Sequence, residues 1–164
     1  VQTSREDLRE DFKRWSPTVR ALMENLQKPD IWALFNHPAA PTYFSTSPLI
    51  CLVGDAAHAS TPHQGAGAGM CIEDAWILCQ VLSQCRSKDN IAKAFRAYDA
   101  VRRPRSQKMV ETSREAGKMW DFEGENIGDD LEKLERNAVT RMGWIWDHEI
   151  ARDLEKAMDL LDEV

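Results

Sequence analysis

The sequence predicts a mostly α-helical chain with a few strands, and two observations carry that reading. Apolar residues recur at three- and four-residue spacing through most of the 164 positions, the period of one helix face. Only two runs, Ile31–Phe35 and Leu49–Val53, have the length and apolar content of a strand. An isolated pair of strands is marginal in water. Either the chain is helical throughout, or its strands belong to a sheet whose other members lie elsewhere.

The elements follow in order. Ser4 stands before Leu8, Phe12 and Trp15, so it reads as the N-cap of a first helix. Ser16-Pro17 ends that stripe and opens a second through Val19, Leu22, Met23 and Leu26, because proline suits the first helical turn. Lys28-Pro29-Asp30 stops it. Residues 37–48, with Pro38, Pro41 and Pro48, read as a loop. Leu49–Val53 reads as a buried strand stopped by Gly54-Asp55. A helix is expected from about Gly67 to Cys85 on the spacing of Met70, Ala75, Leu78, Val81 and Leu82. Asp89 or Asn90 can cap the next one, which carries Ile91, Phe95, Tyr98 and Val101. Pro104, within Arg102-Arg103-Pro104-Arg105, should interrupt or kink it. Helical pattern resumes through Met109, Val110, Ala116 and Met119. Residues 121–130 read as an acidic loop. Leu131, Leu134, Ala138 and Met142 mark one more helix, and Ile150, Leu154, Ala157, Met158 and Leu161 the last.

Composition excludes several function classes. The formal net charge of −6 argues against a basic nucleic-acid binder. No stretch of about 18 apolar residues suggests a membrane span, and residues 1–25 carry charges throughout where a signal peptide would be apolar. The acid is concentrated late: residues 1–110 hold 14 Lys/Arg against 11 Asp/Glu, and residues 111–164 hold 7 against 16. That bias reads as a solvated helical face. Cys51, Cys71, Cys79 and Cys85 match no zinc spacing and read as free buried thiols of a cytoplasmic protein. The six tryptophans read as helix-packing anchors. Arg102, Arg103 and Arg105 read as a solvated or carboxylate-paired cluster before they read as a phosphate site.

The unusual stretch is residues 54–69, GDAAHASTPHQGAGAG. A strand that delivers Asp55 to its C-terminal end puts a hydrogen-bond acceptor where open sheets bind ligands; an Asx-turn or a cap would explain the same residue. Gly65, Gly67 and Gly69 alternate with Ala66 and Ala68 at an expected helix start. With so little side-chain bulk, a ligand can reach free N–H groups at the positive end of the helix dipole. Close helix–strand packing through small residues is the other reading. The spacing is not G-x-G-x-x-G. Asp55, His58 and His63 are too loosely spaced to argue for a metal site. Ser60 lacks a nucleophile elbow.

Taken whole, the segment resembles a known motif. Leu52-Val53-Gly54-Asp55-Ala56-Ala57-His58, then Pro62-His63-Gln64-Gly65-Ala66-Gly67-Ala68-Gly69 and Glu73-Asp74-Ala75, is similar to the second flavin-binding motif of the single-component (group A) FAD-dependent aromatic hydroxylases, in particular the salicylate hydroxylase group. Trp32–Pro38, Tyr98–Arg105, Phe122-Glu123-Gly124, Ile127–Asp130 and Trp144–Asp147 extend the resemblance over nearly the whole chain.

That resemblance implies an α/β parent fold of which this chain is the C-terminal part. Residues 1–120 would complete an FAD-binding domain, and residues 121–164 would be an acidic helical extension. It implies that Asp55 hydrogen-bonds a ribityl hydroxyl of FAD, that Pro62 lines the isoalloxazine face, and that Gly65, Ala66, Gly67, Ala68 and Gly69 bring backbone N–H groups to the flavin edge. His63 would border the ring or the substrate. The family's chemistry is reduction of FAD by NAD(P)H, then hydroxylation of an electron-rich phenolic ring with O2, so the implied partners are an aromatic acid and O2. The family's N-terminal G-x-G-x-x-G unit and middle D-G motif have no counterpart here, Asn36 stands where relatives carry an acid, and no catalytic base is assigned. The rival expectation is an inactive helical binding module descended from such an enzyme.

Overall fold

A computed structural model of the chain describes residues 3–27, 29–47 and 49–162. Lys28 in the expected helix stop and Pro48 in the expected loop lie outside them. The chain divides into two compact units, residues 1–34 and 35–164.

The first unit holds α1 (Arg5–Asp11) and α2 (Pro17–Glu24). Ser4 caps α1 as its spacing predicts: its side chain accepts from the Asp7 N–H while Asp7 reaches back to the Ser4 N–H, a reciprocal capping box. Ser16 caps α2 with Pro17 in the first turn. Arg9 joins the two helices through a bidentate pair with Glu24 at 2.7 and 2.8 Å. Neither helix contains a buried residue.

The strand expected at Ile31–Phe35 does not form. Ile31, Trp32, Leu34 and Phe35 are exposed, Trp32 to 81%. Strand propensity measures how well a side chain fits a half-buried pleated surface, and no such surface covers this run among the described residues.

In the second unit, β1 (Phe44–Thr46) and β2 (Leu49–Cys51) form an antiparallel hairpin with Phe44 opposite Cys51 and Thr46 opposite Leu49. This corrects the sequence reading twice. The loop over 37–48 contains a strand, and the strand expected to be buried over Leu49–Val53 is three residues long with Leu49 and Ile50 half exposed. A two-stranded sheet has no second layer on its outer face, so alternation could not report it.

Helices then dominate. A single turn, α3 (Asp55–His58), leads through a 3-10 turn at Pro62–Gln64 into α4 (Gly67–Ser83), close to the expected helix. The long α5 (Ile91–Trp120) follows, then α6 (Leu131–Thr140), α7 (Gly143–Trp146) and α8 (Ile150–Asp162). Helices α4, α5 and α8 pack on one another, and β1, β2 and α3 pack on α5. Their shared core is Tyr43, Ala57, Ile77, Val81, Ala94, Ala97, Tyr98, Val101 and Ala157. Alanines from α5 and α8 in that core let the helix backbones approach closely.

Two expectations about α5 need correction. Pro104 lies inside an uninterrupted 30-residue helix. The cost of an interior proline, about 3 kcal/mol, is offset by tertiary packing: Arg102 and Arg105 on either side of it are buried and ion-paired to Glu73, Asp74 and Asp153. Asn90 occupies the N-cap position but makes no capping bond; a 3-10 turn at Lys88–Asn90 winds directly into the helix.

The tryptophans also depart from expectation. None is buried, and Trp15, Trp32, Trp120 and Trp146 are substantially exposed. Trp144 lies half buried beneath two cations, Lys108 at 4.4 Å and Arg105 at 5.4 Å from its ring centre. The four cysteines are free, as expected, but none is fully buried and Cys79 is exposed. Burial, then the charges of Asp99 and Asp74, pushes the Cys51 thiol up to about 12, which keeps it from acting as a thiolate. Among the described residues no helix is long and apolar enough to cross a membrane.

Candidate functional site

Strand β2 feeds the site. The Leu52 N–H donates to the Tyr43 carbonyl at 2.7 Å and the Tyr98 hydroxyl donates to the Leu52 carbonyl at 3.2 Å, so the segment leaving β2 is held from both sides. The chain then turns at Gly54, whose φ of +62° and ψ of −139° suit only glycine. A Cβ there would also fall 2.9 Å from the Cys71 Sγ. Asp55 emerges from this turn exposed, in the first turn of α3.

The next loop is fastened to α5. The Ser113 hydroxyl donates to the Thr61 carbonyl at 2.6 Å, and the Thr112 hydroxyl donates to the Gln64 Oε1 at 2.8 Å. The His63 ring lies against Gly117, where a Cβ would stand 2.6 Å from its Cε1. Pro62, between these anchors, is exposed. Gly65 closes the 3-10 turn in the left-handed region at φ +62°. Helix α4 then begins at Gly67 with no side-chain cap among the described residues; the first intrahelical bond is Met70 N–H to the Ala66 carbonyl, so the N–H groups of Gly67, Ala68 and Gly69 before it have no i−4 carbonyl.

These pieces form one open groove of about 530 Å³. Asp55, Pro62, Gly65, Ala66, Gly67 and Ala68 all line it. Gly69 is exposed one step further along α4 and is not on the wall, and His63 turns toward α5. Ser60, Thr61, Cys71 and Ile72 complete the wall, and the sequence reading gave none of them a place in a flavin site. Among the described residues Asp55 is the only carboxylate that lines it, together with the first residues of α4.

Beneath the groove lies a buried charge cluster. Asp74 accepts from His58 Nε2 at 2.6 Å, from the Gly54 N–H at 3.1 Å and from Arg102 Nε at 2.9 Å. Arg102, with no exposed side-chain surface, also meets Glu73 at 2.7 Å and Asp153 at 3.5 Å. Glu73 takes a bidentate pair from Arg105, both bonds 2.8 Å. Arg103 pairs with Asp99. The arginine run is thus carboxylate-paired, and His58 is committed to Asp74 rather than to Asp55 or His63. Among the described residues no group of His, Cys, Asp and Glu is placed to hold a metal ion. One signal for this cluster was available in the sequence. Met70, Asp74, Ile77 and Val81 form the buried stripe of α4, so a carboxylate stands on the core face and calls for a cationic partner.

Burial alone would push the Asp74 and Glu73 carboxyls up. Hydrogen bonds and charge from His58 and Arg102 on Asp74, and from Arg105 and Arg102 on Glu73, outweigh burial and hold both below their ordinary values of 3.8 and 4.5. A carboxyl lowered on folding stabilises the native state above its unfolded value, and that stabilisation is lost as pH falls through the lowered one. Thermal unfolding should therefore be nearly flat from about pH 7 to 5 and its midpoint should drop steeply below about pH 4. A midpoint that holds or rises in that acid range would contradict the cluster.

Comparison with known proteins decides the family. The model for the FAD binding domain family matches residues 6–113. The chain belongs to the FAD binding domain family. Its curated relatives include a salicylate hydroxylase of Pseudomonas putida, 36% identical over 95% of this chain and 36% of the relative. Another is the 6-methylsalicylate 1-monooxygenase atA of Aspergillus terreus, 34% identical over 97% of this chain and 35% of the relative. A solved salicylate hydroxylase substrate complex superimposes with a TM-score of 0.86 at 33% identity, covering 96% of this chain and 38% of that one. The Klebsiella pneumoniae HpxO complexed with FAD and uric acid superimposes with a TM-score of 0.64 at 25% identity. The chain thus spans between a third and two fifths of the length of these relatives.

FAD is the cofactor of this family, and the groove suits it. A Cβ at Gly65 or Gly69 would point into open space, and one at Gly67 would meet nothing closer than Ser60 Oγ at 3.6 Å. These glycines are therefore not explained by tight packing within the protein. They leave the uncapped backbone of an FAD binding domain accessible to an anionic ligand edge.

Proposed function

We propose that this chain is the C-terminal portion of an FAD-dependent aromatic monooxygenase that hydroxylates a salicylate-like phenolic acid with NAD(P)H and O2. The observation that carries this reading is the gathering of six motif residues onto one groove at the uncapped start of α4. The names of the relatives, salicylate hydroxylase and 6-methylsalicylate 1-monooxygenase, support the substrate class. The expected division at residue 120, with 121–164 as an acidic extension, remains part of the proposal; α8 packs on α4 and α5 in the same unit as the groove.

When bound, FAD supplies the redox and oxygen chemistry. This chain contributes placement and charge. Asp55, exposed beside the groove, accepts a hydrogen bond from a ribityl hydroxyl. Pro62 offers an apolar wall with no N–H of its own and keeps water from that face. The first-turn N–H groups of α4, with Gly65 and Ala66 before them, stabilise negative charge at the flavin edge. Ser113 and Thr112 fix the loop that carries Pro62, and His63 in the same turn packs against Gly117 of α5. The four free thiols fit a reducing, cytoplasmic setting.

The test is turnover by the full-length protein. Oxidation of NADH or NADPH should depend on a phenolic acid such as salicylate, and hydroxylated product should match O2 consumed. Failure of every phenolic acid to stimulate oxidation or yield product, in a protein that holds FAD, would contradict the proposed activity and favour a non-catalytic descendant.

A further inference from the structure

The second element of interest is the carboxylate beneath the groove. We propose that Asp74 is the positioning residue of the flavin-binding turn, setting where Asp55 stands through the Gly54 backbone; this rests on the functional reading given above.

A single oxygen of Asp74 serves both ends of the turn. Oδ2 accepts from the Gly54 N–H at 3.1 Å and from His58 Nε2 at 2.6 Å, and Gly54 and His58 flank the α3 turn that begins with Asp55. The other oxygen accepts from Arg102 of α5. Arg102 in turn reaches Asp153 of α8. The turn is thereby referenced to two helices that take no part in lining the groove. Glycine adopts this conformation about as readily as its mirror image, so local preference alone does not select it and the bond to Asp74 can.

The arrangement demands a carboxylate. Three donors converge on two acceptor oxygens, and Asp74 has no exposed surface. An amide has one acceptor oxygen and one NH2 group, which is a donor. With asparagine at 74, either Arg102 or the Gly54–His58 pair would face a donor. His58 adds to the constraint: its Nδ1 is buried with no hydrogen-bond partner among the described residues, which places the proton on the Nε2 that faces Asp74.

The experiment compares Asp74→Asn with Asp99→Asn in the full-length protein. Asp99 is a buried carboxylate of the same core, accepting from the Tyr43 N–H at 2.8 Å and pairing with Arg103, but it makes no bond to the turn. FAD affinity is read by flavin fluorescence quenching, and Gly54 amide exchange is read in the flavin-free protein. Asp74→Asn should weaken FAD binding by about tenfold or more and remove protection from the Gly54 amide, whereas Asp99→Asn should lose thermal stability with affinity within about twofold of the parent. Equal weakening in the two variants, or a protected Gly54 amide in Asp74→Asn, would overturn the proposal. If Asp74→Asn does not fold, His58→Gln, which disturbs one donor to Asp74, takes its place with the same expected order. A parent protein that does not bind FAD would sink the functional reading instead, and Gly54 exchange would still decide the positioning role.

Discussion

Replacing Arg102 with methionine should destabilise the protein by about 3–5 kcal/mol, because it removes the cation shared by three carboxylates and leaves fully buried Asp74 with only His58 and the Gly54 N–H to compensate its charge. The side chain has no exposed surface, and its guanidinium meets Glu73, Asp74 and Asp153. Methionine is similar in length, so lost packing contributes little. For a chain of this size the midpoint shift is about 2–4 °C per kcal/mol. Arg103→Met should cost far less, since Arg103 is part exposed and makes one pair, to Asp99. Chemical denaturation of the two variants checks the ordering. Equal, small losses would show that the buried cluster contributes little.

Gly54→Ala should be the next most damaging single change. The positive φ with an extended ψ costs an L-residue about 1–3 kcal/mol. The added Cβ meets the Cys71 Sγ at 2.9 Å, and overpacking of that kind costs about 1–3 kcal/mol more. The two causes can be separated. Cys71→Ala removes the Sγ contact but leaves the backbone strain, so the double variant should recover the overpacking share and no more. Full recovery would mean that the backbone conformation is not strained, and no recovery would mean that Cys71 is not the obstacle.

What was legible in the sequence was local. Ser4 and Ser16 cap helices because capping depends on residues within three positions. The start of α4 at Gly67 could be read from apolar spacing alone. Of the eight residues that the family resemblance singled out, six line one wall, and Gly69 and His63 do not. What was not legible depended on partners distant in sequence. Ile31–Phe35 has a strand's composition and, among the described residues, no partner strand. Phe44–Thr46 hides between prolines because its evidence is its pairing to Leu49–Cys51. Pro104 fails to break α5 because its neighbours are held by residues tens of positions away. Asp74 shows as a lone acid on a helix until His58, 16 positions before it, and Arg102, 28 after it, are seen to converge on it.

The central claim is that the wall running from Asp55 to Ile72 is where this protein holds flavin. Amide exchange of the full-length protein with and without FAD tests it most directly. FAD should slow exchange at the Gly54–Asp55 turn, along Ser60–Ala68 and in the first turn of α4, with little change in α6 or α8. Flavin bound with no protection in those segments would place the site elsewhere and contradict the account.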